Sequence, residues 1–137
     1  MKYKFYEVLP QEAVDIRQKV FVEEQGFENE FDDIDDRALH LVIFKGEQPV
    51  GCARMYEEHH EMILGRIAVF KEYRQLHLGS QILELLEAKA KSLGFKETVL
   101  SAQVRASEFY KKNGYIKFGE EYLDEYCPHI KMKKVLS

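Results

Sequence analysis

The residues best suited to chemistry lie in one stretch, Tyr73-Arg74-Gln75-Leu76-His77-Leu78-Gly79-Ser80. A cation, a glycine and a hydroxyl here follow an apolar run, Ile67-Ala68-Val69, and lead into a helix-forming pattern. A strand that feeds a helix through such a loop makes an anion site, because the helix dipole and its free N–H groups converge there. A pyrophosphate suits that geometry. The same residues also suit an ordinary helix start with Arg74 as a surface cation, and the junction alone does not separate the two readings.

Other reactive side chains make weaker cases. Cys52 and Cys127 form no CxxC pair and no zinc spacing, so both are expected to be buried free thiols. His59-His60 point to opposite sides of an extended chain and have no further His or Cys at ligand spacing, which reads as a polar hairpin tip and not a metal site. The segment from Glu28 to Asp36 holds six acids in nine positions, and without it the chain has 20 basic against 18 acidic residues. It lacks the D-x-D-x-D-G frame of a calcium loop. Two readings stay open for it: a negative field that favours a cationic substrate, or a solvated loop that aids solubility.

The elements that must position these residues follow from periodicity. An extended segment, Tyr3 to Val8, precedes a helix whose apolar positions Ala13, Val14, Ile16, Val20 and Phe21 recur near 3.6. His40 to Phe44 reads as a buried strand, Gly46-Glu47-Gln48 as a tight turn and Val50 to Tyr56 as the antiparallel partner. Met62 to Phe70 is too continuously apolar for an edge and is expected at the centre, with Gly65 marking a bulge or close backbone approach. Ile82, Leu83, Leu86, Ala90 and Leu93 fall on one face of a helix stopped by Gly94. Thr98 to Leu100, a helix from Ala106 to Lys112 stopped by Asn113-Gly114, and strands near Ile116 to Phe118 and His129 to Val135 complete the chain. The order β-α-β-β-β-α-β-α-β-β predicts a mixed sheet with helices packed on it, an α+β or α/β sandwich.

The 137 residues, 45% hydrophobic and 32% charged, fit one domain over 1–137, with 9 Phe and 8 Tyr available for its core. A net charge of -4 argues against coating nucleic acid or an anionic membrane. No apolar run approaches the roughly 18 residues of a membrane span, and Met1 to Glu7 has no signal-peptide apolar segment, so the expected compartment is the cytoplasm.

Arg74-x-x-His77-x-Gly79-Ser80 resembles the Arg/Gln-x-x-Gly-x-Gly/Ala signature of the GCN5-related N-acetyltransferases, with His77 where the pattern has its first glycine. Gly65-Arg66-Ile67-Ala68-Val69 is similar to that family's splayed strand. Ala102-Gln103 through Phe109-Tyr110-Lys111-Lys112-Asn113-Gly114-Tyr115 resembles its FYxKxGF element. Pro128-His129-Ile130-Lys131-Met132, with Val22-Glu23-Glu24-Gln25, is similar to the small bacterial ElaA-like branch. The resemblance implies a central mixed sheet with helices on both faces, acetyl-CoA as acetyl donor, no metal, and direct transfer to a primary amine of a small molecule or peptide.

It also implies roles. Ile67, Ala68 and Val69 would pair with the pantetheine arm, opposite a second strand at Val99 to Ala102. Arg74, Gln75, His77, Leu78, Gly79 and Ser80 would hold the pyrophosphate. Tyr110, at the family's acid position, would touch the cofactor and protonate the departing thiolate. Arg66 stands where some relatives carry a glutamate, which leaves Glu23, Glu24, Glu120 and His129 as bases, with Glu24 and His129 taken forward. A homodimer is one expectation from the family. The alternative to an enzyme is an acyl-CoA-binding or sensing module with the same fold and no turnover.

Overall fold

From His40 to Ile43 every side chain is buried, so this strand needs cover on both faces. In the computed structural model, which describes Met1–Ser137, it has that cover. The strands are β1 Lys2–Tyr6, β2 Leu39–Lys45, β3 Gln48–Glu58, β4 Glu61–Val69, β5 Glu97–Gln103, β6 Ile116–Asp124 and β7 Cys127–Val135. The helices are α1 Gln11–Arg17, α2 Leu78–Ser92 and α3 Ser107–Lys112. The strands form one sheet in the order β1-β2-β3-β4-β5-β7-β6, antiparallel at every neighbour except the β4–β5 pair. Element order and the central place of β4 match the reading of the sequence.

Alternation along the strands divides the core in two. Leu41, Ile43, Ala53, Met55 and Leu64 pack with Leu78, Ile82, Leu83, Leu86 and Ala90 of α2. Val42, Cys52 and Ala68, from the opposite face, pack with Ala13 and Ile16 of α1 and with Val20 and Phe21. The first helix differs from expectation beyond Arg17, where it widens into a π-helical segment, Gln18–Glu24. π segments of this kind recur at functional sites. Here it carries Phe21 and Gln25 to a cleft and Glu24 to Arg74.

Two features of β4 open that cleft. The first is a bulge opposite Ala53, where pairing runs from Arg54↔Gly65 to Cys52↔Ala68. The residue that absorbs it is Arg66, at φ +50, and not Gly65 as the sequence indicated. The extra residue brings Arg66 onto the same face as Arg54, among the carboxylates of the acidic segment. The second is a divergence. β4 pairs with β5 only at Met62↔Thr98, Ile63↔Val99 and Leu64↔Leu100, while β5 continues to Gln103 along β7. From Gly65 onward β4 has no strand partner on that side.

Candidate active site

The divergence leaves a cleft of about 300 Å³. Gly65, Arg66 and Ile67 line it from β4, Ser101 and Gln103 from β5, and Tyr110 from α3. A Cβ placed on Gly65 would meet no atom within 4 Å, so the space beside the strand is open. Gln25, Phe27, Asn29 and Glu30 roof the other end. That roof is tied down by the β6–β7 turn: Glu125 accepts the N–H groups of Glu28 and Asn29 at 2.9 and 3.0 Å, and Tyr126 donates to the Gln25 carbonyl.

Tyr110 and His129 both face this cleft. Burial pushes the Tyr110 hydroxyl up to about 12, so it stays protonated at neutral pH, and it has no hydrogen-bond partner in the protein. Its ring is held edge-on by Phe109 and Tyr115, at centroid distances of 5.1 and 6.1 Å. His129 Nδ1 lies 2.9 Å from the Cys127 carbonyl. A carbonyl oxygen only accepts, so Nδ1 carries the proton of the neutral ring and Nε2 presents a lone pair with no protein partner.

Glu24 is placed elsewhere. Its carboxylate grips Arg74 at 3.0 and 3.2 Å, outside the cleft, and Arg74 Nε also donates to the Val69 carbonyl at 3.0 Å. Arg74 thereby ties the end of β4 and the π-helical segment to the loop before α2. Glu23 pairs with Lys19 on the surface, and Glu120 is exposed on β6.

The loop from Arg74 to Ser80 reaches α2 through two left-handed residues, Gln75 at φ +69 and His77 at φ +59. His77 thus holds the conformation that a glycine adopts without strain. Leu78 is buried through its side chain, but the N–H groups of Leu78, Gly79 and Ser80 find no acceptor in the protein; Gln81 N–H is the first that does, at 3.2 Å from His77 O. Three free donors at the positive end of a 15-residue helix suit a phosphate. Gly79 has a second reason to be glycine, since a Cβ there would sit 2.9 Å from Cζ of Phe109. The start of α2, Phe109 and Tyr110 therefore pack as one unit.

The acidic segment does wall the cleft, through Glu30, and half of its charge is paired. Six side chains close into a ring of alternating sign. Arg17 touches Glu30 at 3.0 Å and Asp35 at 2.8 Å; Arg66 touches Glu30 at 2.7 Å and Asp32 at 3.4 Å; Arg54 touches Asp32 at 2.7 Å and Asp35 at 2.9 Å. Burial opposes the charge on Asp35, yet the hydrogen bonds and positive charge of Arg17, with Arg54, hold its carboxyl at about 2. Glu28, Asp33 and Asp36 remain exposed as the segment's free charges. The exposed half fits the solvated loop read from the sequence, and the ring is the part that reading did not contain.

Both cysteines are free and buried, and burial pushes the Cys52 thiol up to about 12, which leaves it inert. His59 and His60 sit at the β3–β4 turn with φ +51 and +66. No group of three or more His, Cys, Asp or Glu is arranged to hold a metal.

Residues 7–136 match the Acetyltransferase (GNAT) domain family. The chain is 38% identical over 126 residues to the uncharacterized N-acetyltransferase YjcF of Bacillus subtilis (strain 168), covering 90% of each. Its structure is similar to that of ElaA from Escherichia coli, at 26% identity and a TM-score of 0.85 over 98% of this chain and 99% of that one. An aminoglycoside 6'-N-acetyltransferase complexed with coenzyme A shares the fold, at 15% identity and a TM-score of 0.81 over 100% of this chain and 98% of that one.

Proposed function

The chain belongs to the GNAT acetyltransferase family, and from that premise we propose that it moves the acetyl group of acetyl-CoA directly to a primary amine. The observation that carries this reading is the separation of β4 from β5 after Leu64, with Tyr110 and His129 on the cleft it opens. The backbone of Gly65 to Val69, without a strand partner on the β5 side, is suited to pair with the pantetheine arm. The free N–H groups of Leu78, Gly79 and Ser80 are suited to the pyrophosphate.

Each chemical requirement then has a candidate in this chain. His129 Nε2, the unpartnered lone pair, takes the proton of the ammonium so that nitrogen attacks the thioester carbonyl carbon. An N–H of β4 within Ile67 to Val69 donates to the carbonyl oxygen as negative charge builds there. The carbon–sulfur bond then breaks, and Tyr110 passes its proton to the departing sulfur. Glu24 is assigned a positioning role through Arg74, in place of the base role the sequence allowed. Both cysteines are free thiols, as suits a reducing compartment, and no helix is long and apolar enough to cross a membrane; the proposal places the enzyme in the cytoplasm, as one domain over 1–137.

Release of free CoA from acetyl-CoA, measured with a panel of small amines and lysine peptides, tests the reading. Tyr110→Phe keeps the ring and removes the proton, so turnover should fall about 10²-fold, while acetyl-CoA still raises the thermal midpoint as any ligand of the folded state does. Unchanged turnover would remove Tyr110 as the acid.

A further inference from the structure

The ring of six charges is balanced in sign but not in hydrogen-bonding groups. Each of its carboxylates is held by two arginines, and Arg17 commits Nε, Nη1 and Nη2 to Glu30 and Asp35. Arg66 commits Nε and Nη2 to Glu30 and Asp32 but leaves Nη1 without an acceptor. Arg54, whose side chain is 4% exposed, leaves Nε as the buried side-chain polar atom with no partner in the protein. Arg54 and Arg66 both line the cleft, on adjacent strands where Arg54 pairs with Gly65. The Arg66 side chain is 23% exposed, and a charged N–H donor such as its Nη1 binds a carboxylate more strongly than any neutral group does.

We infer that the amine acceptor also carries a carboxylate, which docks on the free Nη1 of Arg66 beside Arg54. This rests on the acetyltransferase reading above. The same walls provide for the other end of such a molecule. Asp124 lines the cleft with no partner and suits the incoming ammonium, whereas Glu125 already has both oxygens on backbone N–H groups. The cleft, about 300 Å³ including the part assigned to the pantetheine arm, suits an acceptor no larger than a free amino acid. A lysine within a protein brings an amine but no carboxylate. Arg66 holds a φ of +50 with Nε and Nη2 tied into the ring, which fixes the Nη1 on which the carboxylate would dock.

The experiment compares amino acids with their decarboxylated amines as matched pairs, reading CoA release with the wild-type protein, Arg66→Lys and Arg66→Gln. In the wild type, kcat/KM should favour the amino acid by about 10- to 100-fold, the usual worth of a hydrogen bond to a charged group. Arg66→Lys keeps the charge but not the guanidinium, and should shrink that ratio through the KM of the amino acid. Arg66→Gln should bring it near one. The KM for acetyl-CoA and the midpoint shift it causes report separately that the variants are folded and bind donor. Wild-type protein that acetylates the decarboxylated amines as well as the amino acids would overturn the carboxylate site and leave the transferase reading intact. A folded protein that binds acetyl-CoA yet releases no CoA with any amine would overturn both.

Discussion

The start of α2 and the charged wall of the cleft are built from different materials. At the α2 end the groups proposed to meet the ligand are main-chain N–H donors of three consecutive residues, Leu78, Gly79 and Ser80. At the β3–β4 end they are side chains brought together from α1, the acidic segment, β3 and β4. A site made of backbone is set by local conformation and tolerates changes of side chain. A site made of paired charges is set by tertiary structure and fails when one member is lost.

Breaking the ring gives the largest expected effect. Asp35→Asn removes the charge shared by Arg17 and Arg54, both buried, and loss of a partner in such a site costs about 3–5 kcal/mol. The exposed neighbour Asp36, changed in the same way, should move stability by no more than about 0.5 kcal/mol. Urea unfolding of the two variants checks this, and equal costs would show that the ring is not what holds this end. The pH profile sharpens the point. The Asp35 carboxyl sits at about 2 in the folded protein against an ordinary 3.8. Its stabilisation is therefore complete above the unfolded value and is lost as pH falls through about 2. The thermal midpoint should drop between pH 4 and pH 2 in the wild type, with a shallower drop in Asp35→Asn.

The α2 end should respond less to substitution. Gly79→Ala forces the Phe109 ring to move, which at the usual cost of overpacking is about 1–3 kcal/mol. Because Phe109 supports Tyr110, kcat should fall along with acetyl-CoA affinity; a loss of affinity with kcat unchanged would separate α2 from the acid. His77→Gly gives the smallest effect. It relieves a left-handed side-chain residue at φ +59 but loosens the unfolded chain, two terms of about 1 kcal/mol that oppose each other. The thermal midpoint should shift by a few degrees at most, and isothermal titration should show acetyl-CoA binding no weaker than in the wild type. Weaker binding would mean that the imidazole itself contacts the ligand.

The same contrast decides what could be read in the sequence. Strand alternation, the apolar stripe of α2 and the glycine loop are local patterns, and the element order and the central β4 followed from them. The ring has no local pattern. Arg17 and Asp35 are 18 positions apart and Arg54 and Asp32 are 22, spacings that carry no periodic signal. Glu24 was one of four candidate bases left once Arg66 stood in the glutamate's place, but only the fold shows Arg74, 50 positions away, holding it. Arg66 was visible as a departure from relatives with glutamate, although nothing in its neighbours announces a bulge at a charged residue beside a glycine better suited to one. The π-helical segment was hidden for a related reason: apolar spacing reports a helical face, not the hydrogen-bond step within it.

The short seam between β4 and β5 has a mechanical consequence. Three residue pairs join a wing of four strands, β1 to β4, to a wing of three, β5, β7 and β6. The shortest ladder of the sheet therefore runs along the candidate active site, and the wings are joined there otherwise by the packing of α2. A donor laid along Gly65 to Val69 would act as a stitch across that seam. Loading the enzyme and stiffening it would then be one event.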